Sequence, residues 1–490
     1  MLTKAAAATM APDATFDGNA TFPANGSTQN QGTASVLYLE NGPTAAGCPA
    51  GATGCTATAR AAGGGVFLAF PPLGSNPNIV AFDETSGLPV WTAHLTVGGD
   101  GIRGTPVIDA TARRLYVVSG GNPHVVHAVS VDTGVEVTGG GWPVTLSAQT
   151  VSYNGTGFNS GAENQHGASL LTNGILYIPF GGQYGDGGDY LGWIIAVDTT
   201  NPTDVKGWAT QSSRSGIWGS GGLASDGTSV FGVTGDTTSV ARNVSDSQEV
   251  VRVSGMSAFT RCAANVFVPE EWEGWDRPAG DLDFGASTPA YVPLPAGSTP
   301  SALLVAPAKA GRLFILDGTN LSQGTYDPNA RTPGGMLADI VVSGTNGETV
   351  YTAPTIYTSA SGLHATINVG GGFNGCPGGG LNNEVVISTL IQPGQTPIAK
   401  IVWCAQGSMG GHYNFPPIST TTDGVSANAL VWYINGSQLT AVDGDTGAEV
   451  VTTTGAACNT VPSMSFPIAV KNRIVVSALG HLCSWSPGGN

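Results

Sequence analysis

Charge is what this 490-residue sequence has least of: Asp, Glu, Lys and Arg make up 10% of it, and only 17 residues are Lys or Arg. Several solvent-coated amphipathic helices need long stretches of Ala, Leu, Glu, Lys and Arg, so helical bundles and coiled coils are excluded. The 33 acidic residues set a net charge of −16, which repels phosphate backbones and anionic headgroups with no basic cluster to offset it. Nucleic acid is therefore not an expected partner. No apolar run reaches the roughly 18 residues of a membrane span. Histidines number only seven, no Cys-x-x-Cys-His is present for covalent haem, and no paired Cys/His spacing suggests structural zinc. The opening MLTKAAAATMAPDATF is too polar and short for an intact signal peptide, as in a chain trimmed of its signal.

Glycine is abundant, at 73 residues, beside 31 prolines and a hydrophobic content of 41%. Short segments alternating apolar and polar residues suit a large β core and not a disordered chain. There are seven cysteines. Cys48 and Cys55 bracket a Gly/Ala/Thr loop, and Cys376 with Cys404 and Cys458 with Cys483 flank later loops and strands, a spacing suited to local disulfides. Cys262 is the candidate free thiol. An oxidising, extracellular or periplasmic setting is expected.

A phrase recurs along the chain: a short apolar strand, a turn, and an apolar stretch ending in Asp before a Thr/Gly turn. It reads NIVAFDETSGLPVW, HAVSVDTGVEV, GWIIAVDTTNP, GRLFILDGTNL and QLTAVDGDTGAEV, with Asp83, Asp132, Asp198, Asp317 and Asp443 at the turns. An Asp there can accept hydrogen bonds from turn amides while Gly supplies positive φ, so these carboxylates are structural. Pro106, Ala168, Leu223, Pro289, Pro354, Pro417 and Pro467 anchor the strand pairs at steps of about 50 to 66 residues. Self-similarity at this scale predicts an all-β fold: an eight-bladed β-propeller of four-stranded antiparallel blades, counting TASVLYLEN as the opening unit. Seven blades remain open if that unit belongs to the first blade alone. Closure by pairing of N- and C-terminal strands would remove the sheet edge. Residues 1–32 are expected as a flexible segment ahead of a single domain at 33–490.

The phrase Ala-x-Asp-x-x-Thr-Gly-x-x-x-Trp, best seen in AFDETSGLPVW, resembles the blade repeat of pyrroloquinoline quinone (PQQ) type propellers. SGIWGSGGLASDGTSVFGVTGD, AGDLDFGASTPAYV and LLVAPAKAGRLFILD are similar to consecutive blades of PQQ-dependent alcohol dehydrogenases and polyvinyl-alcohol-dehydrogenase-like proteins. This more specific likeness spans residues 215–321, about a fifth of the chain. The resemblance implies PQQ and Ca²⁺ as cofactors, Asp236 as a Ca²⁺ ligand where the family has Asn, Lys309 and Trp218 as cofactor contacts, and Asp283, with Asp281 beside it, as the base. It implies a monomeric oxidoreductase for an alcohol or carbohydrate. The family's vicinal Cys-Cys pair is absent, and no residue matches its Ca²⁺-binding glutamate.

Two further readings rest on the residues themselves. His166 and His412 both precede inner strands, and with Tyr413 they could converge on the funnel as the acid and base of a cofactor-independent polysaccharide lyase or hydrolase. Gln183, Tyr184, Asp186 and Asp189 form a Gly-rich loop that could rim the same mouth. His127 reads as core and His124 as a turn residue. The run VPEEWEGWDRPAGDLD, from Glu270 to Arg277 and beyond, reads as a solvated excursion or a substrate-facing loop with stacking Trp. The remaining possibility is a non-catalytic binding scaffold.

Overall fold

In the strand Ala429–Asn435, Leu430, Trp432 and Ile434 enter one apolar cluster with Ile474, Val476 and Trp485. The intervening Val431 and Tyr433 enter another, with Val386 and Trp403. Side chains alternate across a strand, so one that is apolar at every position needs a packed neighbour on both faces. The chain meets this need with small sheets set side by side in a ring, an apolar cluster filling each interface between successive sheets.

The computed structural model describes residues 2–22, 34–43, 64–71, 78–95, 101–183, 187–235, 246–275, 281–324, 334–344, 349–383, 385–407, 415–421, 428–454 and 465–489. It is an eight-bladed β-propeller of four-stranded antiparallel blades. With strands named A to D in chain order, strand A of blades 1 to 8 is Leu37–Leu39, Val107–Asp109, Leu170–Thr172, Ala224–Ser225, Ala290–Pro293, Thr355–Ser359, Ile418–Thr421 and Ile468–Val470. These strands are mostly half-buried and lie beside one another in the inner ring, while the B and C strands are buried along most of their length, and Ser229–Val233 and Val385–Ile391 along all of it. Each anchor of the repeat falls one or two residues ahead of an A strand, and TASVLYLEN supplies strand A of blade 1. Eight is therefore the blade number.

Closure joins the two ends of the chain. Strand D of blade 8 is Met10–Pro12, paired with the C-terminal strand His481–Pro487 in the register Met10↔Pro487. The expectation of a flexible segment over residues 1–32 is thus corrected for residues 2–22. They hold this strand and two short helices, Lys4–Ala7 and Ala14–Asn19, because the last blade needs a fourth strand to cover its edge. Residues 23–33 lie outside the described residues.

The turn chemistry follows the repeat. Asp83 Oδ1 accepts from the Thr85 and Ser86 amides at 3.1 and 2.9 Å, and Asp443 Oδ1 from those of Asp445 and Thr446 at 3.0 and 2.9 Å. Asp132 instead pairs with Arg113, whose Nε donates to it at 3.1 Å. The turn glycines also receive aromatic side chains from the preceding blade. Trp91 Nε1 donates to Val131 O at 2.9 Å, and a Cβ on Gly134 would stand 2.6 Å from the Trp91 ring. Trp403 repeats this at Gly447, donating to Gly444 O at 2.9 Å. At the closing seam, Phe16 of the second N-terminal helix takes the place against Gly87.

One disulfide expectation holds: Cys376 and Cys404 are bonded, and Cys262 is a free thiol. Cys483 is disulfide-bonded; Cys48, Cys55 and Cys458 lie outside the described residues. Among the described residues no helix is long and apolar enough to cross a membrane.

Gly134 has φ +69° and contacts Trp91, whereas Gly139 has φ +90° with open space around the missing Cβ. Gly134→Ala pays left-handed strain and displaces the indole, and Gly139→Ala only the strain. Denaturant unfolding should show the first to be less stable than the second by about 1–3 kcal/mol.

Candidate active site at the channel mouth

Antiparallel blades place the segment ahead of strand A and the end of strand B at one end of the central channel. At that end blades 4, 5 and 6 contribute Trp218, Asp281, Asp283, Lys309 and Tyr351. Lys309 follows directly on Ala302–Ala308, strand B of blade 5, and is 2% exposed. Its ammonium donates to Asp281 and, at 2.9 Å, to Asp283 Oδ2. It also stands 5.3 Å from the Trp218 ring centroid and 5.4 Å from that of Tyr351. The two rings are 6.3 Å apart at an interplanar angle of 50°.

The two aspartates differ in access. Asp283 is fully enclosed, whereas 56% of the Asp281 side chain is exposed. Burial pushes the Asp283 carboxyl above the usual carboxylate range, against the pull of the Lys309 charge. Lys309 loses hydration too, but its two carboxylates outweigh that loss and raise it above an ordinary lysine. The ammonium is therefore held charged in an otherwise desolvated place.

The loop carrying Asp283 is braced from behind. Asp283 Oδ1 accepts from Ala286 N at 3.1 Å, and Gln248 Oε1 accepts from Phe284 N at 2.7 Å. A Cβ on Gly235 would stand 2.6 Å from Asp283 Oδ1, so glycine is required for that approach. Trp275 meets Phe284 edge-on at 5.8 Å. Both Trp272 and Trp275 are buried, which rules out the reading of this run as a loop offering exposed Trp to substrate. Asp276 and Arg277 lie outside the described residues.

Of the other expected site residues, His166 is half-buried and its Nε2 donates to Gly182 O within its own blade at 3.1 Å. His412, Tyr413 and Asp236 lie outside the described residues, as do Tyr184 and Asp186. His127 is core, as expected, between Ser119 Oγ at 2.8 Å and Glu136 Oε1 at 2.5 Å. His124, expected in a turn, is instead 1% exposed and donates from Nε2 to Glu163 O at 2.9 Å. Gln183 donates to the same carbonyl at 2.9 Å. At the opposite end of the channel His364 meets Ser359 and Ser361, both at 2.9 Å from Nε2. Both hydroxyls donate to Asp445 of the next blade, so the cluster pins two blades together.

Tyr351 and the access difference between Asp281 and Asp283 escaped the sequence reading. An aromatic residue shortly ahead of a blade anchor, shared by Trp218 and Tyr351, was the available signal.

The residues fit a flat aromatic quinone in two respects: a half-buried indole for stacking, and a lysine ammonium for a developing oxyanion. They do not form a metal centre. Among the described residues no three His, Cys, Asp or Glu side chains converge as ligands, so no step below runs through Ca²⁺.

No family model matches the chain, and no curated protein matches it. Among solved structures 439 chains match. Quinohemoprotein alcohol dehydrogenase from Comamonas testosteroni superposes with a TM-score of 0.62 at 12% identity, covering 100% of this chain and 78% of that one. Quinohemoprotein alcohol dehydrogenase ADHIIG from Pseudomonas putida HK5 gives 0.56 at 12%, covering 97% and 79%. A europium-containing methanol dehydrogenase gives 0.54 at 12%, covering 84% and 80%. At these identities the likeness is one of fold, distantly shared with quinoprotein oxidoreductases.

Beside the mouth, Glu163 is 1% exposed, and burial pushes its carboxyl from 4.5 up to about 9. A pKa raised on folding contributes stability that is complete below 4.5 and lost as pH rises through about 9. Glu163→Gln should flatten this dependence. Melting curves should coincide with wild type near pH 4.5 and favour the variant at pH 7, by on the order of 3 kcal/mol.

Proposed function

We propose that the protein oxidises an alcohol or sugar at the Asp281–Lys309–Asp283 cluster, with a PQQ-like quinone stacked on Trp218. What carries this reading is that one lysine ammonium bridges an enclosed and an exposed carboxylate beside a half-buried indole. A bound quinone would supply the acceptor for the carbinol hydride. The rest falls to this chain. Asp281, the carboxylate a substrate can reach, takes the hydroxyl proton as general base. Lys309 donates to the negative charge that develops on the acceptor oxygen. Asp283, first expected as the base, is too enclosed to touch a substrate and acts as a positioning residue that holds Lys309 in place and charged. Tyr351 and Trp218 keep water from the ammonium.

The cofactor-independent lyase reading gains nothing from His166, whose described bond is to its own blade. The Cys376–Cys404 disulfide supports the extracellular or periplasmic setting.

Titration of the purified protein with PQQ, with and without Ca²⁺, tests the reading through absorbance and melting temperature together. Binding should shift the spectrum and raise the melting point, because a ligand of the folded state stabilises it. No binding at high PQQ under either condition would overturn the proposal. Given binding, Asp281→Asn should lower kcat by about 10²–10⁴-fold with little change in PQQ affinity, and Lys309→Ala should weaken both. An Asp281→Asn enzyme with unchanged kcat would return the base to Asp283.

A further inference from the structure

Among the described residues, every non-glycine residue with positive φ is exposed or half-buried except two, Asp246 at φ +58° and Gln248 at φ +54°. They lie two apart in the segment Asp246–Glu249, which is buried at all four positions and stands just ahead of Val250–Ser254, strand C of blade 4. Left-handed backbone crowds Cβ against the following carbonyl, which aspartate tolerates through its short polar side chain and glutamine does not. Strain of this kind persists only where the surroundings over-determine it, and it gathers at functional sites.

The surroundings are a clamp. The Arg261 guanidinium, from the connection between strands C and D of blade 4, pairs with Asp246 and, at 3.3 Å, with Glu249 Oε2. Asp246 Oδ2 also accepts from Gln211 N of blade 3 at 3.1 Å. Glu249 is tied to the end of strand B, its O accepting from Thr234 N at 2.9 Å and its N donating to Thr234 Oγ1 at 3.2 Å. A buried cluster of charges is often no more stable than apolar packing of the same volume, so stability alone does not account for this one. What the clamp places is Gln248, whose Oε1 accepts at 2.7 Å from Phe284 N, directly after Asp283. Gly235, which follows Thr234, lies against Asp283 itself.

We infer that Asp246–Glu249, clamped by Arg261, is a strained positioning element for the site at the channel mouth, setting Gln248 against Phe284 N and so fixing Asp283 beside Lys309. A return of Gln248 to right-handed φ would re-aim its side chain, so the strain is the means by which a residue of blade 4 reaches the loop of blade 5. Gln248 and Arg261 act through Asp283 and are positioning residues. Their part in catalysis rests on the reaction proposed above, whereas the placement of the loop does not.

Hydrogen exchange read by mass spectrometry on the whole protein tests the placement without cofactor or substrate. Gln248→Met keeps the bulk and removes the acceptor, and Arg261→Lys keeps the charge and removes the fork that holds two carboxylates. Both variants should speed exchange over residues 281–287 by about tenfold or more and leave the strand Arg473–Ala478 of blade 8 as in wild type. Unchanged exchange over 281–287 in Arg261→Lys overturns the inference, because the clamp would then not reach the loop; should that variant fail to fold, the same result in Gln248→Met overturns it. Equal acceleration in blade 8 also overturns it, because the clamp would then support the fold at large. Where the wild type turns over with PQQ, both variants should lower kcat by about 10–10²-fold. The basic limb of the pH profile should move to lower pH, since Lys309 is held charged by Asp281 and Asp283. Wild-type kcat and pH profile beside accelerated exchange overturn the positioning role. Absence of turnover in the wild type counts against the reaction proposed above, and exchange over 281–287 then decides the placement by itself.

Discussion

Each blade is stable only because its neighbours cover both of its faces. Strands such as Ile79–Asp83 and Ala302–Ala308 are buried at every position, so a single blade would leave one face or the other in water. Two-sided burial makes the ring obligatory, and the ring makes its last interface as necessary as its first. The N-terminal residues serve that interface twice. Met10–Pro12 supplies the missing strand, and Phe16 meets the Gly87 turn as Trp91 meets Gly134. Arg473 adds to the seam by pairing with Asp13 at 2.6 Å and lying over the Phe16 ring at 4.3 Å.

The same constraint creates the site. Trp218, the aspartates with Lys309, and Tyr351 come from three successive blades, and none of those blades alone could bring an ammonium between two rings and two carboxylates. Their spacing is inherited from the packing between blades, which is rigid because interiors are close-packed. Desolvation then sharpens the chemistry. Lys309 remains charged because its carboxylates outweigh the burial that opposes them, while Asp283 is driven the other way by the same burial.

Reading along the chain was reliable where the physics is local. The Asp and Gly turn residues, the strand pairs and the anchors are set by near neighbours, and their recurrence points to eight blades with seven left open until the structure fixes the number. It was weaker where a residue's role depends on what another blade covers. Nothing in DLDFG distinguishes Asp281 from Asp283, because the difference is one of enclosure. His124 looks like a turn residue until blade 3 closes over it. Glu163 carries no mark in the sequence, and its enclosure shows only in the folded chain, where Leu191 N donates to it at 3.0 Å.

The sequence by itself determined the all-β class, the repeat and the blade boundaries, because alternation and turn chemistry act over a few residues, whereas the lysine and aspartates stood out only through the resemblance to PQQ-type blades. Only the tertiary structure decided which N-terminal strand closes the ring, which aspartate faces solvent, and that Tyr351 joins Trp218 around Lys309. These are consequences of burial between blades far apart in sequence, and burial exists only once the ring has closed.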